Sequence, residues 1–278
     1  MREKLFPACA TVYVALIFGA PLFAVVAATQ LVASIYLRAA VILFAPVLYS
    51  ALMASIAGVL SLPHQRSIRP VRLIRRLNDP VYFDRRVYGL CWTSLYYTKP
   101  VYHICLSIPL LRHIVFRLFG YRGQMNFTVY PDTWIRDLPL LDFGRGAYIS
   151  NRATLGTNMV FGNSIVVDRI TVGEKAVVGH LAMLGPGVRI GTHSDVGVGS
   201  ALGIKVTVGS RTSIGGMSGV ESRAKIGDGV RIGPCSLVTA GSRIADGAVV
   251  DRTPPVSQKS FPPPQRALDT DELLAIGE

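Results

Sequence analysis

Two histidines stand in a glycine-rich stretch of the chain: His180 within VVGHLAMLGPG and His193 within RIGTHSDVG. A neutral imidazole is well suited to take the proton from a hydroxyl or amine as it attacks a carbonyl. Around them lie the cations Lys175, Arg189, Lys205, Arg211, Arg223, Lys225 and Arg243, side chains that suit phosphate groups or an anionic surface. Each histidine can also be read as a plain polar residue at a turn, and the cations as a solvated face. The four cysteines, Cys9, Cys91, Cys105 and Cys235, have no paired spacing. They indicate neither a disulfide framework nor a zinc site; reduced thiols and no metal are expected.

The elements that carry these residues repeat with a period of six. From Val172 to Val250 every sixth residue is aliphatic, fourteen in succession, and glycine follows ten of the first eleven. The residue two before each aliphatic is small or β-branched, as at Ala176, Ser194 and Thr212. Positions i and i−2 share one side of a strand, so both can face an interior. The glycine at i+1 suits a tight corner. Short strands joined by corners and repeated wind into a β-solenoid. The pattern extends upstream through Phe143, Ile149, Leu155, Phe161 and Val167, then shortens by one before Val172, which reads as a residue missing from a corner.

The stretch from Phe143 to Val250 resembles the hexapeptide-repeat, left-handed β-helix family of acyltransferases. The resemblance implies a mainly β fold, a left-handed parallel β-helix of about six coils, with three hexads making one triangular coil of about 18 residues. It also implies a homotrimer, acyl-CoA (acetyl-CoA or another) as co-substrate in the groove between neighbouring helices, and a histidine base at a coil corner. On that period His180 stacks on Val198 and, allowing for the slip, on Asn163. His193 stacks between Lys175 and Arg211, with Asn158 one coil earlier. Arg189, Thr207, Lys225 and Arg243 form one column and Arg169, Lys205 and Arg223 another, and either would suit the CoA phosphates. His180 is the expected base, with His193 or Asn158 assisting.

The chain departs from the family where a Gly-His or Thr-His pair is common early in the coils. Here the place reads Gly156-Thr157-Asn158, and asparagine is not a base at neutral pH. The long loop that protrudes from the coils in many relatives is also read as absent. RITVGEKAVVGHLAMLGPGVRIG further resembles, more loosely, the C-terminal hexapeptide region of poly-lysine-synthetase-like nonribosomal peptide synthetases. A carbonic anhydrase on the same fold would need three histidines converging on zinc, which His180 and His193 do not supply.

The remainder of the 278 residues explains why a net charge of +12 accompanies 50% hydrophobic content. From Leu5 to Pro63 the only charged residue is Arg38. Two spans fit, Ala8–Tyr36 and Ala39–Leu62, each at or above the ~20 residues that cross a bilayer. Residues 1–65 are therefore read as a transmembrane hairpin turning at Arg38. Arg2 and Lys4 precede it, and Arg66, Arg69, Arg72, Arg75 and Arg76 follow it. The positive-inside rule then puts both ends, and the repeat domain, on the cytoplasmic side of the inner membrane. Residues 66–120 form a basic juxtamembrane segment with an interfacial helix broken at Pro109. That helix can equally cap the open end of the solenoid. The β-helix domain is assigned to 121–252, with an irregular first coil at Met125–Leu141. The proline-rich tail, 253–278, ends in a possible short helix. The arginine run has no aromatic stacking pattern, so membrane lipid rather than nucleic acid is the expected partner. Together these features read as a membrane-anchored O- or N-acetyltransferase acting on a sugar, peptide or lipid-linked envelope precursor. The alternative is a non-catalytic scaffold organising a membrane-bound biosynthetic complex.

Overall fold

The computed structural model describes residues 2–76 and 78–250; the proline-rich tail and its expected short helix lie outside them. Helix α1 (Arg2–Leu31) and helix α2 (Ile35–Ser61) form the antiparallel hairpin. Both are long and apolar enough to cross a membrane, with mean hydropathy of 2.2 and 2.1. A helix that is apolar all round satisfies its backbone internally and needs no water to do so. The turn falls at 32–34, ahead of Arg38, which lies inside α2. From there its guanidinium donates to the Val32 carbonyl (3.0 Å), so the one charge between Leu5 and Pro63 satisfies an acceptor at the end of α1.

Three further helices follow: α3 (Pro80–Tyr97), α4 (Lys99–Ser107) and α5 (Pro109–Leu118). Asp79 starts α3 by accepting from the Tyr82 amide (2.9 Å). The chain bends by 111° between α4 and α5, where Pro109 denies the helix a donor. The sequence reading named one broken helix here and missed α3. Trp92 of α3, Tyr102 of α4 and Phe116 of α5 are fully buried. Phe116 and Tyr121 stack on Phe127, and Tyr121 and Phe127 stack on Phe143. This aromatic plug covers the open end of the solenoid, which is the capping role.

The solenoid is a three-faced parallel coil of about seven turns. The first face has seven strands, beginning with β2 (Phe127–Val129) and β4 (Ala147–Ile149) and running through Val177–Val178, Asp195–Val196, Ser213–Ile214 and Arg231–Ile232 to Val249–Val250. The second has five, from β5 (Thr154–Leu155) through Met183–Leu184, Ala201–Leu202 and Gly219–Val220 to Leu237–Val238. The third has six, from β3 (Leu141–Phe143) through Ile170–Val172, Arg189–Ile190, Thr207–Val208 and Lys225–Ile226 to Arg243–Ile244. The irregular coil, through β2, supplies one rung more than the hexads alone count.

The interior is built as the hexad requires. The aliphatics from Val172 to Ile232 are at most 3% exposed. The i−2 positions are buried too, and their hydroxyls are satisfied from rung to rung. Ser194 Oγ donates to the Gly209 carbonyl (2.7 Å) and accepts from the Thr212 amide (3.0 Å). Thr212 repeats the pattern with Gly227 and Val230. A small hydroxyl therefore fits where a larger polar group would be stranded.

Two sequence inferences about the corners need correction. The glycines after the aliphatics do not take left-handed angles; those fall two residues later, at Lys175, Leu181, His193, Lys205, Arg211 and their stacked equivalents. The i+1 glycines are there for space. A Cβ on Gly191 would come 2.5 Å from the Gly209 carbonyl carbon in the next rung. Nor is a residue missing before Val172. Phe143 pairs with Val172, a step of 29 residues, whereas Val172 to Ile190 takes 18. Eleven residues are therefore inserted, and most of them form a hairpin of β6 (Asn158–Phe161) and β7 (Ser164–Val167). Phe161 is consequently half exposed rather than core. Strand β1 (Val71–Ile74), from just beyond the helical hairpin, pairs antiparallel with β7. The protruding element read as absent is thus present.

Candidate functional site

The hairpin leaves the solenoid at the corner between the second and third faces. Its root is closed by the Asp168 amide donating to the Thr157 carbonyl (2.9 Å). Thr157 is fully buried and its hydroxyl donates to Asp137 (2.7 Å). Asp137 in turn accepts from Arg85 of α3 (2.7 Å). The hairpin is thereby tied to the helical unit at its base and along its edge by β1.

Between hairpin and corner lies a groove of about 810 Å³, within the range of small-ligand and cofactor sites. One wall is apolar, from Val71, Phe161, Val166 and Val167; the other carries Lys205, Arg223 and Ile204 of successive corners. Lys205 Nζ lies 3.9 Å from Asp168 Oδ2. Asp168 and Lys205 also line an adjoining 270 Å³ cavity with Arg169, Gly187, Arg189 and Thr207. A long ligand with an anionic end and an apolar end would find both kinds of wall here.

The sequence-predicted residues divide among three places. Lys205 and Arg223 line the groove, and Arg189 lines the adjoining cavity. Arg189, Lys225 and Arg243 stand in one column with Thr207, side chains outward on the third face. Lys175, His193 and Arg211 stack at a different corner, between the third and first faces; all three have φ near +55° and are exposed. His180 lies at the remaining corner, between the first and second faces, and is half-buried. It stacks beneath Val198, as Gly199 donates to its carbonyl (2.8 Å). Because of the insertion its lower neighbour is Asn151 rather than Asn163. Asn158 starts β6 opposite Val167 and does not join the His193 column, where Gly146 stands below Lys175. Within one chain, therefore, His180, His193 and Asn158 are not brought together. Among the described residues no histidine lines the groove, and no group of three or more His, Cys, Asp or Glu has metal-binding geometry.

The sequence reading missed the hairpin and Asp168, and took Arg72, which also lines the groove, only as a charge flanking the apolar spans. The signal was available: NMVF and SIVV are short apolar runs separated by Gly162-Asn163, a hairpin turn pair. They also fit the hexad template, which obscured them.

The chain is a hexapeptide-repeat β-solenoid. No family model matches it, and no curated protein sequence matches it. Among solved structures it is similar to a GDP-perosamine N-acetyltransferase from Caulobacter crescentus, solved with CoA and GDP-perosamine, at 18% identity and TM-score 0.40, over 52% of this chain and 62% of that one. It is also similar to a UDP-N-acetylglucosamine acyltransferase at 15% identity and TM-score 0.40, over 49% of this chain and 61% of that one. The acetyltransferase domain of PglB from Neisseria gonorrhoeae, solved with acetyl coenzyme A, matches at 15% identity and TM-score 0.22, over 52% and 63%. The chain thus spans somewhat under two thirds of each of these structures.

Proposed function

We propose that this protein is a membrane-anchored acyltransferase that takes its acyl group, most simply acetyl, from acyl-CoA. The acceptor would be a hydroxyl or amine of a sugar, peptide or lipid-linked envelope precursor. The observation that carries this reading is the groove under the hairpin, with cations on one wall for the CoA phosphates and an apolar wall for the pantetheine arm. The reaction needs a base to take the acceptor's proton as its oxygen or nitrogen attacks the thioester carbonyl. The carbon–sulfur bond then breaks and CoA leaves as the thiol. Left-handed winding belongs to this proposal, as does a cytoplasmic position of the solenoid, which the arginines after α2 support through the positive-inside rule.

His180 remains the proposed base, with His193 or Asn158 assisting, and this requires self-association. The corner of His180 is apolar: Leu181, Val198 and Met217 are 49%, 53% and 68% exposed, and Met183 and Leu237 on the second face 52% and 63%. Exposed apolar side chains in such a stripe favour burial against another surface. A homotrimer joined there would bring His180 of one subunit toward the groove of the next. Calorimetric titration of acetyl-CoA into the detergent-purified protein tests the site. Binding that weakens at least tenfold in Lys205→Gln/Arg223→Gln supports it, and no binding at millimolar ligand removes it. If His180→Ala leaves the acetylation rate unchanged, the assignment of the base is wrong.

A second reading, a rigid scaffold without turnover, is favoured by Asn158 at the place of the family histidine and by the lack of a histidine in the groove of a single chain. Calorimetry with CoA on the detergent-purified protein separates the two: no detectable binding at millimolar ligand favours the scaffold.

A further inference from the structure

A second cavity, of about 380 Å³, lies where the membrane hairpin meets the solenoid. Four arginines line it, and they come from separate parts of the chain: Arg66 and Arg69 just after α2, Arg122 after α5, and Arg169 at the start of a third-face rung. The rest of the lining is uncharged, and among the described residues none of the four makes a salt bridge. Four arginines lining one cavity with no carboxylate among the other lining residues give it a positive potential that an anion would neutralise. Their planar forks match phosphate oxygens in particular. Leu62, the first residue beyond α2, is on the rim. With α1 and α2 in a bilayer, the cavity opens at headgroup level.

It is also joined to the groove. Pro70 lines both. Arg169 is shared with the 270 Å³ cavity, which in turn shares Asp168 and Lys205 with the groove. We infer that the four-arginine cavity binds the phosphate or diphosphate of a lipid-linked acceptor, holding its lipid in the bilayer while the attached group reaches the groove. This rests on the acyltransferase reading for the role of the acceptor, but not for the site itself.

The test is binding to the full chain in detergent micelles, with farnesyl diphosphate as probe and farnesol and inorganic pyrophosphate as comparisons. Farnesyl diphosphate is expected to bind at least tenfold more tightly than either comparison. Arg66→Gln/Arg69→Gln and Arg122→Gln/Arg169→Gln should each weaken it tenfold or more, with melting temperatures unchanged because all four side chains are exposed. Equal binding by wild type and both variants overturns the site. Pyrophosphate binding as tightly as farnesyl diphosphate overturns the lipid assignment. Acetyl-CoA is titrated in parallel against Arg66→Gln/Arg69→Gln. Farnesyl diphosphate binding without any acetyl-CoA binding would sink the acyltransferase reading alone; acetyl-CoA binding without farnesyl diphosphate binding would sink this inference alone.

Discussion

Replacing Asp137 with asparagine should be among the most damaging single changes outside the rungs. Asp137 is 0% exposed and Arg85 4%. They meet at 2.7 Å, and the same carboxylate oxygen accepts from Thr157 at 2.7 Å. Asparagine keeps the shape but removes the charge, leaving the Arg85 guanidinium buried and uncompensated. Removing one partner of such a pair costs about 3–5 kcal/mol. At roughly 2–4 °C per kcal/mol for a chain of this size class, the melting temperature in detergent should fall by at least about 6 °C. The pair is not ideally satisfied, since Asp137 Oδ1 and Arg85 Nη1 have no partner. Arg85→Met/Asp137→Leu should therefore recover part of the loss, because an apolar pair owes no desolvation, less about 1–3 kcal/mol for the buried Thr157 hydroxyl that loses its acceptor. Scanning fluorimetry of the single and double variants completes the cycle. If Asp137→Asn melts within 1 °C of wild type, or if the double variant is as damaged as the sum of the singles, the argument from an uncompensated charge fails. Since Thr157 roots the hairpin and loses its Asp137 acceptor only when 137 becomes leucine, acetyl-CoA affinity should fall further with the double change than with the single.

Two kinds of glycine should respond differently to alanine. Gly191→Ala forces a Cβ into the backbone of the next rung and should cost about 1–3 kcal/mol by overpacking, whereas Gly229, with φ +65° and open space around it, should cost only the left-handed penalty of roughly 1–2 kcal/mol and should accept asparagine; urea titration of the three variants ranks them. Leu73→Asp, opposite Ile165 in β1 with both residues buried, should detach β1 from the hairpin and weaken acetyl-CoA binding in calorimetry while circular dichroism keeps the solenoid signal. Burial pushes the Tyr121 phenol up to about 12. Its folded value thus exceeds the ordinary value near 10, so its contribution is complete below pH about 10 and is lost as pH rises through about 12, on the order of 2 kcal/mol. Tyr121→Phe should flatten that part of the stability–pH curve, and an unchanged slope would contradict the assignment.

The rungs were legible because each hexad states its own register: Val172, Ile190 and Val208 share a face by spacing alone, and they pair as that spacing requires. The hairpin was not legible for the same reason. Val160, Phe161, Ile165 and Val167 are as apolar as rung residues, and periodicity cannot tell a strand that coils from one that folds back. What decides is the turn pair Gly162-Asn163 and the partner strand β1, whose residues pair with β7 across 90 to 96 positions of sequence (Ile74 with Ser164, Val71 with Val167). Composition likewise revealed two apolar spans but set their turn at Arg38, because charge is a poorer guide to a turn than a residue's power to cap the preceding helix. The period placed the corner histidines on different corners; only their neighbours one coil earlier, Asn151 rather than Asn163 below His180, depended on counting the insertion.

The insertion is also what joins the parts into one device. A bare solenoid presents flat faces and narrow corners, and neither encloses a ligand. Here eleven added residues overhang one corner, and their free edge is paired by a strand that follows the apolar helical hairpin after a short link. Their root is fixed through Thr157 and Asp137 to α3. The wall of the groove is therefore held by the segment between α2 and α3 as much as by the coils. A displacement of α2 relative to the rungs would be transmitted through the short link 62–70 to β1, and so to the width of the groove. The helical hairpin is thus not a detachable tether: the groove takes its shape from the segment that follows α2, and a solenoid cut free of it would keep its rungs while losing the pocket they border.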